Sequence, residues 1–123
     1  MVSFDTLDAV ESGLPVSSLE EAADRFGLTT LAVVRTLGMS ERTFARRKAD
    51  AVLTVEESDR LMRLFRLLDR AEVVVGDRDR ARRWLNTANR GLDGRAPLSM
   101  ASTETGAAMV FDLLGRIEHG VFS

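Results

Sequence analysis

Leu28-Thr-Thr-Leu-Ala-Val-Val-Arg-Thr-Leu-Gly-Met-Ser-Glu-Arg-Thr-Phe-Ala-Arg-Arg-Lys-Ala49 is the stretch on which the fold turns. Thr29 or Thr30 can cap a helix whose inward residues are Leu31, Val34 and Leu37, with Gly38 just past its end. Ser40 then starts another helix, running to about Ala49, with Phe44 inward and Thr43 or Ala45 beside it. Helix, short glycine-containing turn, helix is the helix-turn-helix layout, in which the second helix enters the major groove. That helix presents Ser40, Arg42 and Thr43 in its first turn, then Arg46, Arg47 and Lys48. Arginine pairs bidentately with guanine or clamps phosphate, and serine and threonine reach either. An ordinary helix pair with a charged outer face fits the same residues.

Charge separates this segment from its surroundings. The whole chain of 123 residues has a formal net charge of -2. Residues 1–30 hold six acids and one base, whereas residues 31–50 hold Arg35, Arg42, Arg46, Arg47 and Lys48 against Glu41 and Asp50. A local basic patch on an acidic chain is the footprint of a small DNA-reading module, or of a solvated helix face.

Outward from this centre the chain reads as helix throughout, an all-α fold. Residues 1–15 are weakly patterned and expected to be weakly structured. Ser17 and Glu20 have capping-box spacing, and Leu19, Ala22, Ala23 and Phe26 form a stripe that ends at Gly27. With the segment above, residues 16–53 make one helix-turn-helix region. Thr54 and Glu57 repeat the capping-box spacing and open a connecting helix over 54–76, roughly 33 Å long. Leu61, Leu64, Phe65, Leu68 and Ala71 line one face of it. Met62, Leu67, Val74 and Val75 form a second strip. Asp77 caps a helix over Arg78–Leu85 that holds Trp84, residues 86–97 form a turn-rich loop, and Pro97 starts a short helical turn. Thr103 caps a last helix to about His119, which Gly120 breaks.

Composition removes whole classes of function. There is no Cys, so disulfides, thiol nucleophiles and Cys-ligated metals are excluded, and a His-based metal site or triad would have to be built from His119 alone. The reading is of no cofactor and no metal. No run approaches about 18 apolar residues, and the N-terminus lacks a basic stretch before an apolar one, so a cytoplasmic protein with no membrane span is expected. Glu104, Asp112, Glu118 and His119 could carry acid–base chemistry in principle, but His119 sits at a fraying helix end, and no enzyme is expected.

Several segments together resemble the Xre/MbcA/ParS family of antitoxins, the partners of RES-domain toxins. Ser40-Glu-Arg-Thr-Phe-Ala-Arg-Arg47 is similar to the family's recognition segment, and Glu57-Ser-Asp-Arg60-Leu-Met-Arg-Leu64 to the segment that follows it. The most specific part is Ala81, Trp84-Leu85, Asn89, Leu92, Gly94, Pro97-Leu98, Thr103-Glu104, Gly106 and Leu114-Gly-Arg-Ile-Glu118 with Gly120. Departures are Phe44 for a frequent Leu, and Met100-Ala101 where larger apolar residues are common.

The resemblance implies a Cro/repressor-like helix-turn-helix bundle joined by the long helix to a toxin-binding domain over 77–123. It implies a type II antitoxin that covers the active site of an NAD-depleting RES toxin and binds its own promoter to autoregulate its operon. A stand-alone dimeric helix-turn-helix regulator is the other reading. The expected DNA contacts are Ser40, Arg42, Thr43, Arg46, Arg47 and Lys48. The expected toxin contacts are Trp84, Leu92, Leu98 and Met109, with Arg116, Glu118 and the tail Val121-Phe122-Ser123 entering the toxin's cleft. Met62, Leu64, Phe65, Leu67 and Leu68 spread apolar surface around one helix, so they are expected to form a homodimer, or part of a larger toxin–antitoxin assembly, on operator DNA.

Overall fold

The computed structural model describes residues 3–120. The chain divides into two compact units, Met1–Met62 and Arg63–Ser123. The division falls inside the longest helix.

In the first unit, α1 (Phe4–Ser12) occupies the segment expected to be weakly structured. Its apolar pattern is weak because only Val10 is buried, while Phe4 is 84% exposed. Ser3 starts it locally, accepting a hydrogen bond from the Thr6 amide at 3.2 Å. Gly13 then turns the chain at φ 86, where an added Cβ would lie 2.5 Å from the Leu53 carbonyl oxygen. Beyond it, the Leu53 amide donates to Leu14 O at 2.8 Å and the Val16 amide to Ala51 O at 3.0 Å. The Leu14 amide donates to the hydroxyl of fully buried Ser58, also at 2.8 Å.

α2 (Ser18–Phe26) buries Leu19, Ala22, Ala23 and Phe26, as the stripe requires. The capping box expected at Ser17 does not form. Ser17 is itself helical (φ -61), and the amides of Ser18, Leu19 and Glu20 bond the carbonyls of Pro15, Val16 and Ser17. A turn already wound before the helix leaves no side-chain cap to make.

α3 (Thr30–Thr36) packs on α2, and Thr29 caps it through the Ala32 amide at 3.1 Å. Its inner face is Val33, Val34 and Leu37; Leu31, expected inside, is 41% exposed. α4 (Glu41–Asp50) packs on α3 and buries no residue fully.

α5 (Val55–Val75) starts with the expected reciprocal box. The Thr54 amide donates to Glu57 Oε1 at 2.9 Å, and the Glu57 amide to Thr54 Oγ1 at 3.1 Å. Leu64, Phe65, Leu67 and Leu68 are buried within the single chain, and Met62 is half-buried. This corrects the expected dimer face, whose apolar surface one chain covers by itself.

The second unit continues with α6 (Arg78–Asn86), capped by Asp77, and α7 (Glu104–Glu118), capped by Thr103. The intervening loop holds two 3₁₀ turns, Arg90–Leu92 and Pro97–Met100, and an antiparallel bridge between Asn89 and Arg95. Both turns pack on α7, and the second also packs on α6. Gly106 makes this packing possible, because a Cβ there would lie 2.0 Å from the Met100 carbonyl oxygen.

Candidate functional site

The helix-turn-helix places α4 at the surface. Ser40 caps it at 3.0 Å from the Thr43 amide, and the Ser40 hydroxyl donates to Thr43 Oγ1, also at 3.0 Å. Both hydroxyls are thereby oriented by the helix start. Arg42 and Arg46 stand one turn apart on the same face, exposed and without an ion-pair partner among the described residues. Lys48 is exposed too, its ammonium 4.4 Å from the centre of the half-buried Phe44 ring. That contact keeps the Lys48 charge on the Phe44 side of the helix.

Arg47 departs from expectation. Its side chain is only 15% exposed, and its Nε donates to Glu57 Oε1 at 2.6 Å. A terminal nitrogen also reaches Asp50 at 3.5 Å. The hydrogen bond to Glu57 holds the Arg47 guanidinium above its ordinary pKa, against partial desolvation. Burial pushes the Glu57 carboxyl up, but the bonds from Arg47 and Thr54 outweigh it and hold the group below its ordinary value. Arg47 therefore faces the start of α5 rather than the outside.

The same turn of α5 holds the other helix of the motif. Arg60 donates from a terminal nitrogen to the Leu37 carbonyl at 3.3 Å, capping the end of α3. Glu57, Ser58 and Arg60 thus tie down α4, the strand-like segment after Gly13, and α3. The sequence marks Glu57 as a capping-box residue, but periodicity misses the contacts of Glu57, Ser58 and Arg60 with the other elements, because a polar residue at the start of a helix looks solvated. Only the unusual cost of burying Glu57 and Ser58 reveals them, and burial is invisible without the fold.

In the second unit the expected contact residues separate into two groups. Leu92 and Leu98 are 3% and 4% exposed and belong to the core under the loop, so they are unavailable to a partner. They anchor the two 3₁₀ turns, which a loop of this composition needs in order to hold one shape. Met109 is 48% exposed, Arg116 is exposed and Trp84 is half-buried. Met109 sits at the rim of two shallow depressions of about 330 and 250 Å³ that share Arg95, Met100 and Met109. Glu118 is held by Arg70 through two hydrogen bonds, one of 3.0 Å, which draws its carboxyl below the ordinary range. Val121, Phe122 and Ser123 lie outside the described residues. Among the described residues, no three potential ligands gather to hold a metal ion, and no helix is long and apolar enough to cross a membrane.

A surface helix bearing free arginines, joined through α5 to a second helical unit, defines a helix-turn-helix protein with an added module. Residues 5–66 match the antitoxin Xre-like helix-turn-helix domain, and residues 70–120 match the antitoxin Xre/MbcA/ParS C-terminal toxin-binding domain. The chain is similar to an antitoxin Xre of Yersinia enterocolitica, at 37% identity over 95% of this chain and 80% of the relative. It is similar to an antitoxin Xre of Photorhabdus laumondii at 35% identity, covering 93% and 78%. Among solved structures it resembles a chain of the M. tuberculosis MbcT-MbcA toxin-antitoxin complex, with a TM-score of 0.64 and 29% identity over 88% of this chain and 96% of that one. The chain belongs to the Xre/MbcA/ParS family of antitoxins. It is an antitoxin with a helix-turn-helix domain, in a family of antitoxins rather than enzymes.

Proposed function

We propose that this antitoxin neutralises a RES-domain toxin that depletes NAD⁺, covering the toxin's active site with its C-terminal end. The observation that carries the reading is the order of the two matched domains, with a toxin-binding domain over the second unit. The exposed residues there, Met109, Arg116 and the rim of Trp84, are the contact candidates. Co-purification with the product of the neighbouring reading frame tests it. A RES-domain protein should co-elute, and NAD⁺ should persist in cells expressing both chains. If this chain elutes alone while the neighbour still consumes NAD⁺, it acts as a stand-alone regulator.

The first unit binds the promoter of its own operon in this reading, through Arg42, Thr43 and Arg46. Truncating Arg46 to alanine should cost roughly 1–3 kcal/mol if it reads a base, and should flatten the salt dependence if it holds phosphate. Toxin binding should stay at its original strength. Promoter affinity unchanged in the Arg42→Ala/Arg46→Ala double variant would remove α4 as the reading helix. Binding as a dimer accords with paired half-sites, with an interface that lies outside the buried α5 residues. A light-scattering mass of one chain at micromolar concentration would remove the dimer.

A further inference from the structure

α4 has little to hold it by apolar packing. It buries no residue fully, and its phenylalanine is half-exposed under a lysine. Its orientation must therefore come from its ends and from polar contacts. At the start, Ser40 fixes the first turn. At the end, Ala51 takes a left-handed φ of 67 and passes the chain to the backbone pairing with residues 14–16. Between them, Glu41 meets Arg35 of α3 at 3.7 Å in a solvent-exposed pair of little strength, whereas Arg47 reaches α5 through a shielded one.

Its acceptor is unusually well placed. Glu57 Oε1 receives the Arg47 Nε at 2.6 Å and the Thr54 amide at 2.9 Å. A carboxylate already held by a backbone amide in a capping box cannot swing to follow the guanidinium, so the guanidinium is held to the frame. Both side chains are largely shielded from water, at 15% and 10% exposure, so the pair is screened less than a surface one.

We propose that Arg47 is a positioning residue for DNA recognition, locked to Glu57 so that α4 presents Arg42, Thr43 and Arg46 at a fixed angle. This rests on the reading that the first unit binds promoter DNA. Arg47 donates nothing to the DNA; it acts through the helix that carries the contacts.

The Glu57→Gln variant of the full chain separates this role from direct contact by sign. The amide oxygen can still accept from Thr54, one negative charge is lost, and the Arg47 charge is released. If Arg47 touched phosphate, binding to a promoter fragment would strengthen or stay the same. If Arg47 positions α4, binding weakens, by roughly tenfold. Arg47→Met should weaken binding with the salt slope unchanged, whereas loss of a phosphate contact lowers that slope by about one. Arg47→Lys, which can still reach the carboxylate, should recover part of the affinity. Amide hydrogen exchange provides a readout free of DNA: protection over 41–50 should fall in Glu57→Gln and Arg47→Met while that over 19–26 holds. If the parent chain fails to bind its promoter, the DNA reading falls and the exchange data still decide the latch. Unchanged protection over 41–50, or tighter DNA binding by Glu57→Gln, overturns the proposal. A variant that loses protection in α2 as well overturns it too, because the pair would then hold the whole unit rather than α4.

Discussion

At the scale of single residues, position relative to the backbone decides what a side chain can do. Gly106 has no room for a methyl group, since a Cβ would meet the Met100 carbonyl oxygen at 2.0 Å. Gly106→Ala must therefore push α7 off the Pro97–Met100 turn. We expect a loss of about 1–3 kcal/mol in urea denaturation, as for other overpacked sites, and an undiminished stability would mean that the turn yields freely. Glu57 gives a prediction in pH. Its folded-state pKa is depressed, so its stabilisation is complete above the ordinary glutamate value of about 4.3 and is lost as pH falls through the folded value. The stability difference between the parent and Glu57→Gln should thus be full at neutral pH and shrink in strong acid. An equal difference at both extremes would show that charge is not its source.

At the scale of elements, most helix starts were legible, though not those at Ser3 and Ser17, and the faces were less so. Thr29, Ser40, Thr54, Asp77 and Thr103 all cap where a local reading puts a helix start, because a cap needs only residues within one turn. Thr54→Ala should cost about 1 kcal/mol, within a range of roughly 0.5–2, seen as a lower melting temperature. It should also loosen Glu57 and hence Arg47, so promoter affinity should fall with stability. Inward faces are set by neighbours instead. Leu31 and Val33 lie two positions apart on a short helix, and the elements packed on α3, not its own pattern, decide that Val33 is covered and Leu31 is not. Leu92 and Leu98 are expected as partner contacts only through the family resemblance, yet both are buried, because a loop between helices must bury something to hold still. Arg47 reads as one more cation in a basic run until α5 brings a carboxylate to it from ten residues away. The first helix was missed for the opposite reason, since one buried valine leaves almost no periodic signal.

At the scale of the whole molecule, the proposed function gives the two matched domains different partners, at different ends of one chain. Removing residues 120–123 should leave promoter binding intact. In the proposed mechanism it should also leave a complex with the toxin, held by surfaces such as Met109, but one in which NAD⁺ is still consumed. Full protection of NAD⁺ by the shortened chain would show that these residues are not what blocks the cleft. Measuring complex formation and NAD⁺ separately keeps binding and inhibition distinct.

The pairing of residues 14–16 with 51–53, sealed by Ser58, also sets a timetable. Leu14 and Ser58 are 44 residues apart in the chain. At a synthesis rate of about 5–20 residues per second, the earlier segment waits roughly 2–9 s for its partner to be made. During that interval the residues of α2 and α3 have been made, but α4 has neither its exit pairing nor the carboxylate that holds Arg47. Both arrive together, on the eight residues from Ala51 to Ser58. The residues that finish the helix-turn-helix unit therefore arrive in one short, late stretch, and all of them are synthesised before the second unit, which starts at Arg63.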